Sequence, residues 1–328
     1  MKLSVIIPNY NHGEFIEEQI DAIINQDYKC FELIIIDDKS TDNSVDIIKN
    51  IIKKNPDENI TLIENDKNTG QNEIFNKGLD ISKGDYICFP SADDRMSEDL
   101  FQEAFYMFKK YPQAGIFSAL GYQMNKEGRF QNLVSSPLIS KDNIYLNSSD
   151  VKKYFSKYGF WIVGQTMIYK KECFIDFDLR FNPQLEHYSD ILVPIVIASK
   201  YGACFVPKTM ASWRYYSGYA ERNFADKSND LKLFNNFKES CASLKFKHLI
   251  PDSLIQELNI QKKIFYLNRK LYKNRESNFL NLFIIKLILS FFIHIYYFKF
   301  NFLKTFTVLW SKRRNKNHYD IKDKKLIY

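Results

Sequence analysis

The chain is short of glycine, proline and cysteine, and each shortage excludes something. Its 328 residues hold 11 glycines, 9 prolines and 5 cysteines. Cys30, Cys88, Cys173, Cys204 and Cys241 are scattered, with no Cys-X-X-Cys pair. That excludes a disulfide scaffold and a thiolate zinc site, and it fits a reducing compartment. No Gly-X-Gly-X-X-Gly turn follows the first apolar run; Pro8-Asn9-Tyr10-Asn11 stands there, with no glycine before Gly13. A dinucleotide-dependent dehydrogenase is thereby excluded, as is the glycine-rich, basic first loop of a sugar nucleotidyltransferase. Lys2 precedes only a short apolar stretch before Pro8, too little for a secretory leader, so the catalytic part is expected in the cytoplasm. The sequence shows no internal repeat. The net charge of +7 is lodged in the tail: residues 299–328 carry nine Lys or Arg against two acids, Asp320 and Asp323. Residues 1–298 are near neutral, which argues against a nucleic-acid groove on the globular part.

What remains is a regular alternation. Strands are predicted at 3–7, 32–37, 60–64 and 85–89, and helices at 13–25, 43–54, 70–82 and 97–110. A further strand is predicted at 114–120 and a turn at 125–128, followed by irregular polar text to about 150. Apolar, β-branched strands separated by amphipathic helices predict an α/β fold, a mostly parallel sheet flanked by helices.

The strands end in polar turns, where open α/β sheets bind ligands. The first ends in Pro8-Asn9-Tyr10-Asn11 and the second in Asp37-Asp38-Lys39-Ser40-Thr41-Asp42. The fourth runs through Gly84-Asp85-Tyr86-Ile87 to Asp93-Asp94. Two adjacent carboxylates are hard oxygen donors, suited to a divalent cation that also holds phosphate oxygens. Either acid also serves as a helix cap.

This set, with Asn68-Thr69-Gly70 and Asn76-Lys77-Gly78 between, resembles the family 2 glycosyltransferases of the bacterial surface-polysaccharide type, which have the GT-A nucleotide-sugar fold. The resemblance covers about the first hundred residues in the family's order and spacing. It implies an inverting, metal-dependent transferase that moves a sugar from a nucleoside-diphosphate donor, UDP in particular. The acceptor would be a hydroxyl of a lipid-linked or surface glycan, in lipopolysaccharide, lipooligosaccharide or capsule synthesis. Pro8, Tyr10, Asn11, Asp38, Asn76, Asp93 and Arg214 would bind the donor, with Asp38 accepting from the base. Asp94 and Asp93 would hold Mn²⁺ or Mg²⁺. Asp190, with Glu186 as fallback, would be the general base; as a residue reading, Asp190 or Ser189 also suits the cap of the helix expected from about 191. Trp161, Gln165 and His187 would face the acceptor, although a tryptophan in this setting equally suits the core. Two departures stand out. Lys39 replaces a frequent glycine, and Phe75 replaces an arginine that helps hold the nucleotide-sugar. The acid motif also reads Ser91-Ala92-Asp93-Asp94, without a first acid. A polyprenol-phosphate glycosyltransferase and a non-catalytic nucleotide-sugar-binding scaffold are the alternative readings.

The expected organisation is a catalytic domain at 1–228 (nucleotide-binding half 1–110, acceptor half 111–228) and a helical extension at 229–328. Residues 215–230 read as a lid over the donor. Residues 279–298 have the length of a membrane span, yet Lys286, Ser290 and His294 form one polar stripe on a helix. With the basic residues that follow, 279–328 reads as an amphipathic segment on anionic lipid, which would hold the protein on the inner face of the cytoplasmic membrane. Docking on the protein itself, homodimer formation and a true span are the other readings, the last burdened by burial of Lys286 and His294.

Overall fold

The computed structural model describes residues 1–133, 136–215 and 227–273. The first apolar runs fold as read: β1 (Leu3–Asn9), α1 (Ile16–Ile24), β2 (Glu32–Asp37), α2 (Ser44–Lys54), β3 (Ile60–Glu64) and α3 (Gln71–Ile81). They are followed by β4 (Tyr86–Cys88), β5 (Arg95–Met96), α4 (Leu100–Lys110), β6 (Ile116–Met124), β7 (Phe130–Leu133), β8 (Ile144–Leu146) and α5 (Ser148–Tyr158). Next come a 3-10 turn (Gly164–Thr166), β9 (Ile168–Lys170), α6 (Glu172–Asp176) and a second 3-10 turn (Pro183–Tyr188). The last described elements are α7 (Ser189–Tyr201), β10 (Ala203–Arg214), α8 (Lys227–Ala242) and α9 (Asp252–Lys273).

The strands join one sheet in the order β3-β2-β1-β4-β9-β6-β10-β5, with β7 on β6 and β8 on β10. Strands β3, β2, β1 and β4 are parallel, and so are β6 and β10. The expectation of a mostly parallel sheet needs correcting. β9 slots antiparallel between β4 and β6, and β5, β7 and β8 are antiparallel too. The sheet is mixed. The insertions are strands of two to four residues, too short for their periodicity to register in the sequence.

Packing explains the regular part. Every residue of β2 is buried, as an interior parallel strand requires. In α1, Ile16, Ile20, Ile23 and Ile24 recur at helical spacing and join β1, β2 and α4 in one apolar cluster. Two glycines of the strand and helix motifs mark close approaches. A Cβ on Gly78 would lie 2.4 Å from Ile6 Cγ2, and one on Gly84 would lie 2.6 Å from the Ser4 backbone nitrogen. They seat α3 and the start of β4 against β1.

The chain divides into two compact units, 1–136 with 140–152 and 162–250, and 137–139 with 153–161 and 251 onward. The first contains the whole sheet and extends through α8. In the second, Phe155 stacks on Trp161 with ring centroids 5.6 Å apart, and Ser253 bonds Ser156 at 3.0 Å. Among the described residues no helix is long and apolar enough to cross a membrane. The expected membrane segment at 279–328, and 216–226 of the expected lid, lie outside the described residues.

Candidate active site

The candidate site lies at the carboxyl ends of β1, β2 and β4, entirely within the first unit. β1 and β2 run in register, pairing Asn9 with Asp37. Asn9 Nδ2 donates to Asp37 Oδ2 at 2.7 Å, and Ser40 donates to the same carboxylate through its backbone (2.9 Å) and hydroxyl (2.5 Å). Asn11, at φ 57°, accepts from the backbone nitrogens of Thr41 (2.7 Å) and Asp42 (3.2 Å). Asp37 and Asn11 thus build the two turns against each other. Asn11, expected to bind the donor, has its side-chain oxygen engaged in the turn. Lys39 sits at φ 68°, the left-handed region where the family's frequent glycine carries no steric penalty. Tyr10 stands 45% exposed beside these turns, and Pro8 is half-buried in β1.

Asp38 is buried. Its carboxylate accepts from Asn65 Nδ2 (2.9 Å), Thr69 N (2.9 Å), Thr69 Oγ1 (3.0 Å) and Gly70 N (2.8 Å). Burial acts to raise its pKa, but these donors outweigh it and hold the carboxyl below the usual range. Asp38 therefore fixes the 65–70 loop. A base N–H would have to displace one of four donors to reach it.

Asp93 and Asp94 follow β4, with 5% and 3% of their surface exposed. Ser91 Oγ donates to Asp93 Oδ1 at 2.6 Å. Asp94 Oδ1 accepts from the Arg214 backbone at 2.9 Å, and Gln165 donates a side-chain hydrogen bond to the same carboxylate. Burial and the neighbouring Asp93 push the Asp94 carboxyl well above the usual range, with Arg214 and Gln165 acting against them. Such a pair is short of positive charge. Among the described residues no third His, Cys, Asp or Glu joins it. Two adjacent buried carboxylates are hard oxygen donors of the kind that hold Mg²⁺ or Mn²⁺, so the residues fit the expected metal.

Arg214 corrects the sequence reading. It was expected to clamp the diphosphate, yet it is 1% exposed and its guanidinium is engaged on every side. Nε donates to the Asp93 carbonyl (2.7 Å), Nη1 to the carbonyls of Asn125 (3.4 Å) and Lys126 (2.5 Å), and Nη2 to Glu18. The guanidinium also lies 4.6 Å from the Phe15 ring centroid. Glu18 in turn binds Arg95 Nη1 at 2.8 Å, and Arg95 Nη2 reaches the Gly128 carbonyl at 3.2 Å. The two arginines and Glu18 lock α1, the acid pair and the β6–β7 turn together. Neither Glu18 nor Arg95 was expected from the sequence.

On the acceptor side, α3 grips the loop that leads to Asp190. Asn76 Nδ2 donates to the Phe181 carbonyl (2.8 Å), and the Phe181 N–H returns a bond to Asn76 Oδ1 (3.0 Å). One turn earlier, Asn72 Nδ2 donates to the carbonyls of Asn182 and Glu186, both at 3.0 Å. Asn76 is therefore spent on the loop rather than on donor, the second correction. Asn72, which no motif marked, shares its task. Phe75 occupies the arginine position and packs between Phe89 (4.7 Å) and Phe181 (4.9 Å). Glu186 is exposed and strained, at φ 46° and ψ −126°.

Asp190 lies in the first turn of α7, half-buried, and desolvation pushes its pKa up to about 7, with His187 pulling it down. It also adds to the upward shift of the buried Tyr169 hydroxyl, which places the two groups within electrostatic reach. The 165–169 segment thus reaches Asp94 through Gln165, while the Tyr169 hydroxyl donates to Met167 Sδ at 2.9 Å. Gln165 belongs to the acid pair in this structure, and His187 faces Asp230 at 3.3 Å. Trp161 is the third correction: fully buried and stacked on Phe155, it is core and presents no face to a sugar.

The fold defines a class. It is shared with Staphylococcus aureus TarS 1–349 solved with UDP-GlcNAc (TM-score 0.60, 18% identity, 74% of this chain and 67% of that one). It is shared also with the Pyrobaculum calidifontis mannosyltransferase PcManGT solved with GDP-Man and Mn²⁺ (TM-score 0.58, 18% identity, 98% and 88%). The model of glycosyl transferase family 2 matches residues 4–171, just over half of the chain. The chain belongs to that family. Curated relatives include a poly(ribitol-phosphate) beta-glucosyltransferase of Bacillus spizizenii, 38% identical over 119 residues, 35% of this chain and 18% of that protein. Another is the amylovoran biosynthesis glycosyltransferase AmsB of Erwinia amylovora, 30% identical over 188 residues, 55% and 60% respectively. The matches to the first curated relatives span 18% to 40% of those proteins' lengths.

Proposed function

We propose that the chain is an inverting, metal-dependent glycosyltransferase of surface-glycan synthesis, taking its sugar from a nucleoside diphosphate, UDP in particular. The observation that carries this reading is the buried Asp93–Asp94 pair after β4, at the carboxyl end of the sheet. Asp94 and Asp93 would hold Mn²⁺ or Mg²⁺, which when bound supplies positive charge for the leaving diphosphate. Tyr10 would stack on the base, with Pro8 beside it and the turns built by Asp37 and Asn11. Asp38 would shape the base pocket by fixing the 65–70 loop. Asp190 would take the proton from the acceptor hydroxyl as its oxygen bonds the anomeric carbon and the bond to the diphosphate breaks. A carboxyl near 7 is matched to base catalysis at neutral pH, a contribution of roughly 10²–10⁴ in rate. The acceptor would be a glycan or lipid-linked sugar, reached from the inner face of the cytoplasmic membrane through 279–328.

The test is a screen of nucleotide-sugars with Mn²⁺, comparing the natural chain with Asp94→Ala. Release of UDP from one donor, lost in the variant, supports the reading and identifies the donor. Absence of turnover together with no calorimetric binding of UDP and Mn²⁺ overturns it.

A further inference from the structure

One buried amide gathers both ends of the turn that leads into α7. Asn72, in the first turn of α3, is 6% exposed. Its Nδ2 carries two hydrogens, which go to the carbonyls of Asn182 and Glu186, each at 3.0 Å. Ser189 meets the same two acceptors. Its hydroxyl donates to the Asn182 carbonyl at 2.9 Å, and its backbone N–H donates to the Glu186 carbonyl. Asn72 and Ser189 are thus joined twice, through carbonyls four residues apart, and Asp190 is the next residue of the chain. Glu186 takes part at a cost. At φ 46° and ψ −126° it holds a backbone shape that favours glycine, while its side chain is exposed. A strained residue keeps such a shape only where its surroundings impose it, and its carbonyl is bonded by Asn72 and Ser189.

We propose that Asn72 is a positioning residue for the general base: it holds the Glu186 peptide in its strained shape and so sets the start of α7, which carries Asp190. The inference rests on the assignment of Asp190 as the base. Without the Asn72 amide, Glu186 is released to an ordinary backbone region. Its carbonyl then turns away, and the Ser189 N–H loses the acceptor that orients the first turn of α7. A displacement of about 1 Å in a reacting group lowers a rate on the order of 10²-fold. α3 is a firm mount for this hold. Thr69 and Gly70, just before it, donate their backbone N–H groups to the buried Asp38 carboxylate. One turn beyond Asn72, Asn76 exchanges two bonds with Phe181. The helix that begins at the Asp38 loop therefore also fixes the approach to Asp190.

The experiment pairs amide hydrogen exchange with kinetics on the full chain. In ¹⁵N-labelled protein the Ser189 amide should exchange roughly tenfold or more faster in Asn72→Ala. The Phe181 amide, held by Asn76, should keep its protection and so report that the fold is intact. Adding Glu186→Gly, which removes the strain from the same backbone shape, should return the Ser189 amide most of the way. Asn72→Ser, a milder truncation that also lacks the amide, should behave as Asn72→Ala does. In transfer assays with the donor found by the nucleotide-sugar screen, Asn72→Ala should lower kcat by roughly 10–10²-fold and leave the donor KM within about twofold. Glu186→Gly should recover much of that kcat in the Asn72→Ala background. Unchanged Ser189 exchange in Asn72→Ala, or a loss of kcat that Glu186→Gly does not lessen, overturns the inference. If the natural chain transfers no sugar at all, the proposed function fails, while the exchange data still decide whether Asn72 holds the turn.

Discussion

Replacing Asp190 by asparagine should make the protein more stable and less active, and the pH dependence of the gain is fixed by the structure. In the folded chain the carboxyl is pushed from an ordinary 3.8 to about 7. Folding therefore takes up a proton between those values, and stability falls as pH rises through the window. Asparagine is nearly the same shape and never ionises. At ~1.4 kcal/mol per pH unit the full span corresponds to ~4 kcal/mol. Asp190 is half-buried, and solvent screening reduces this to roughly 1–2 kcal/mol. Urea unfolding of both proteins from pH 4 to pH 8.5 measures the difference. The variant should match the natural chain near pH 4, gain through pH 7 and level off above it, while transfer falls by roughly 10²–10⁴. A stability difference that does not change with pH would refute the desolvation argument. A variant that retains transfer would refute the assignment of the base.

Two other substitutions test the surroundings. Lys39→Gly should stabilise by roughly 0.5–1 kcal/mol, because relief of the left-handed backbone outweighs the greater chain entropy of glycine; a lower urea midpoint would contradict this. Arg214→Met leaves three carbonyls without their donor and Glu18 with Arg95 alone, and should cost roughly 3–5 kcal/mol and weaken Mn²⁺ binding measured by calorimetry. Intact stability with weakened UDP binding alone would restore Arg214 to the diphosphate.

Much of the donor side was legible because its signals are local. A buried run such as Glu32-Leu33-Ile34-Ile35-Ile36-Asp37 has its strand and its ligand-facing end written in consecutive residues. The partners of individual side chains were not, because they are distant in sequence. Arg214 reads as a free cation until Glu18, 196 positions earlier, is brought to it. Asn76 reads as a donor ligand until Phe181 is seen to take both ends of its amide. Trp161 had two defensible fates, and the stack with Phe155 settles it as core. β9, three residues long, carries no usable period, yet it turns a parallel sheet into a mixed one.

The phenylalanine at 75 limits which substitutions its surroundings tolerate. Its ring is 4% exposed and wedged between Phe89 and Phe181. Arginine at 75 alone would bury a cation among rings on a helix that also anchors the loop to Asp190, a loss of both stability and alignment in one step. Arginine at 75 is therefore accommodated only alongside compensating change at Phe181 or Phe89, and donor affinity is better altered at other positions.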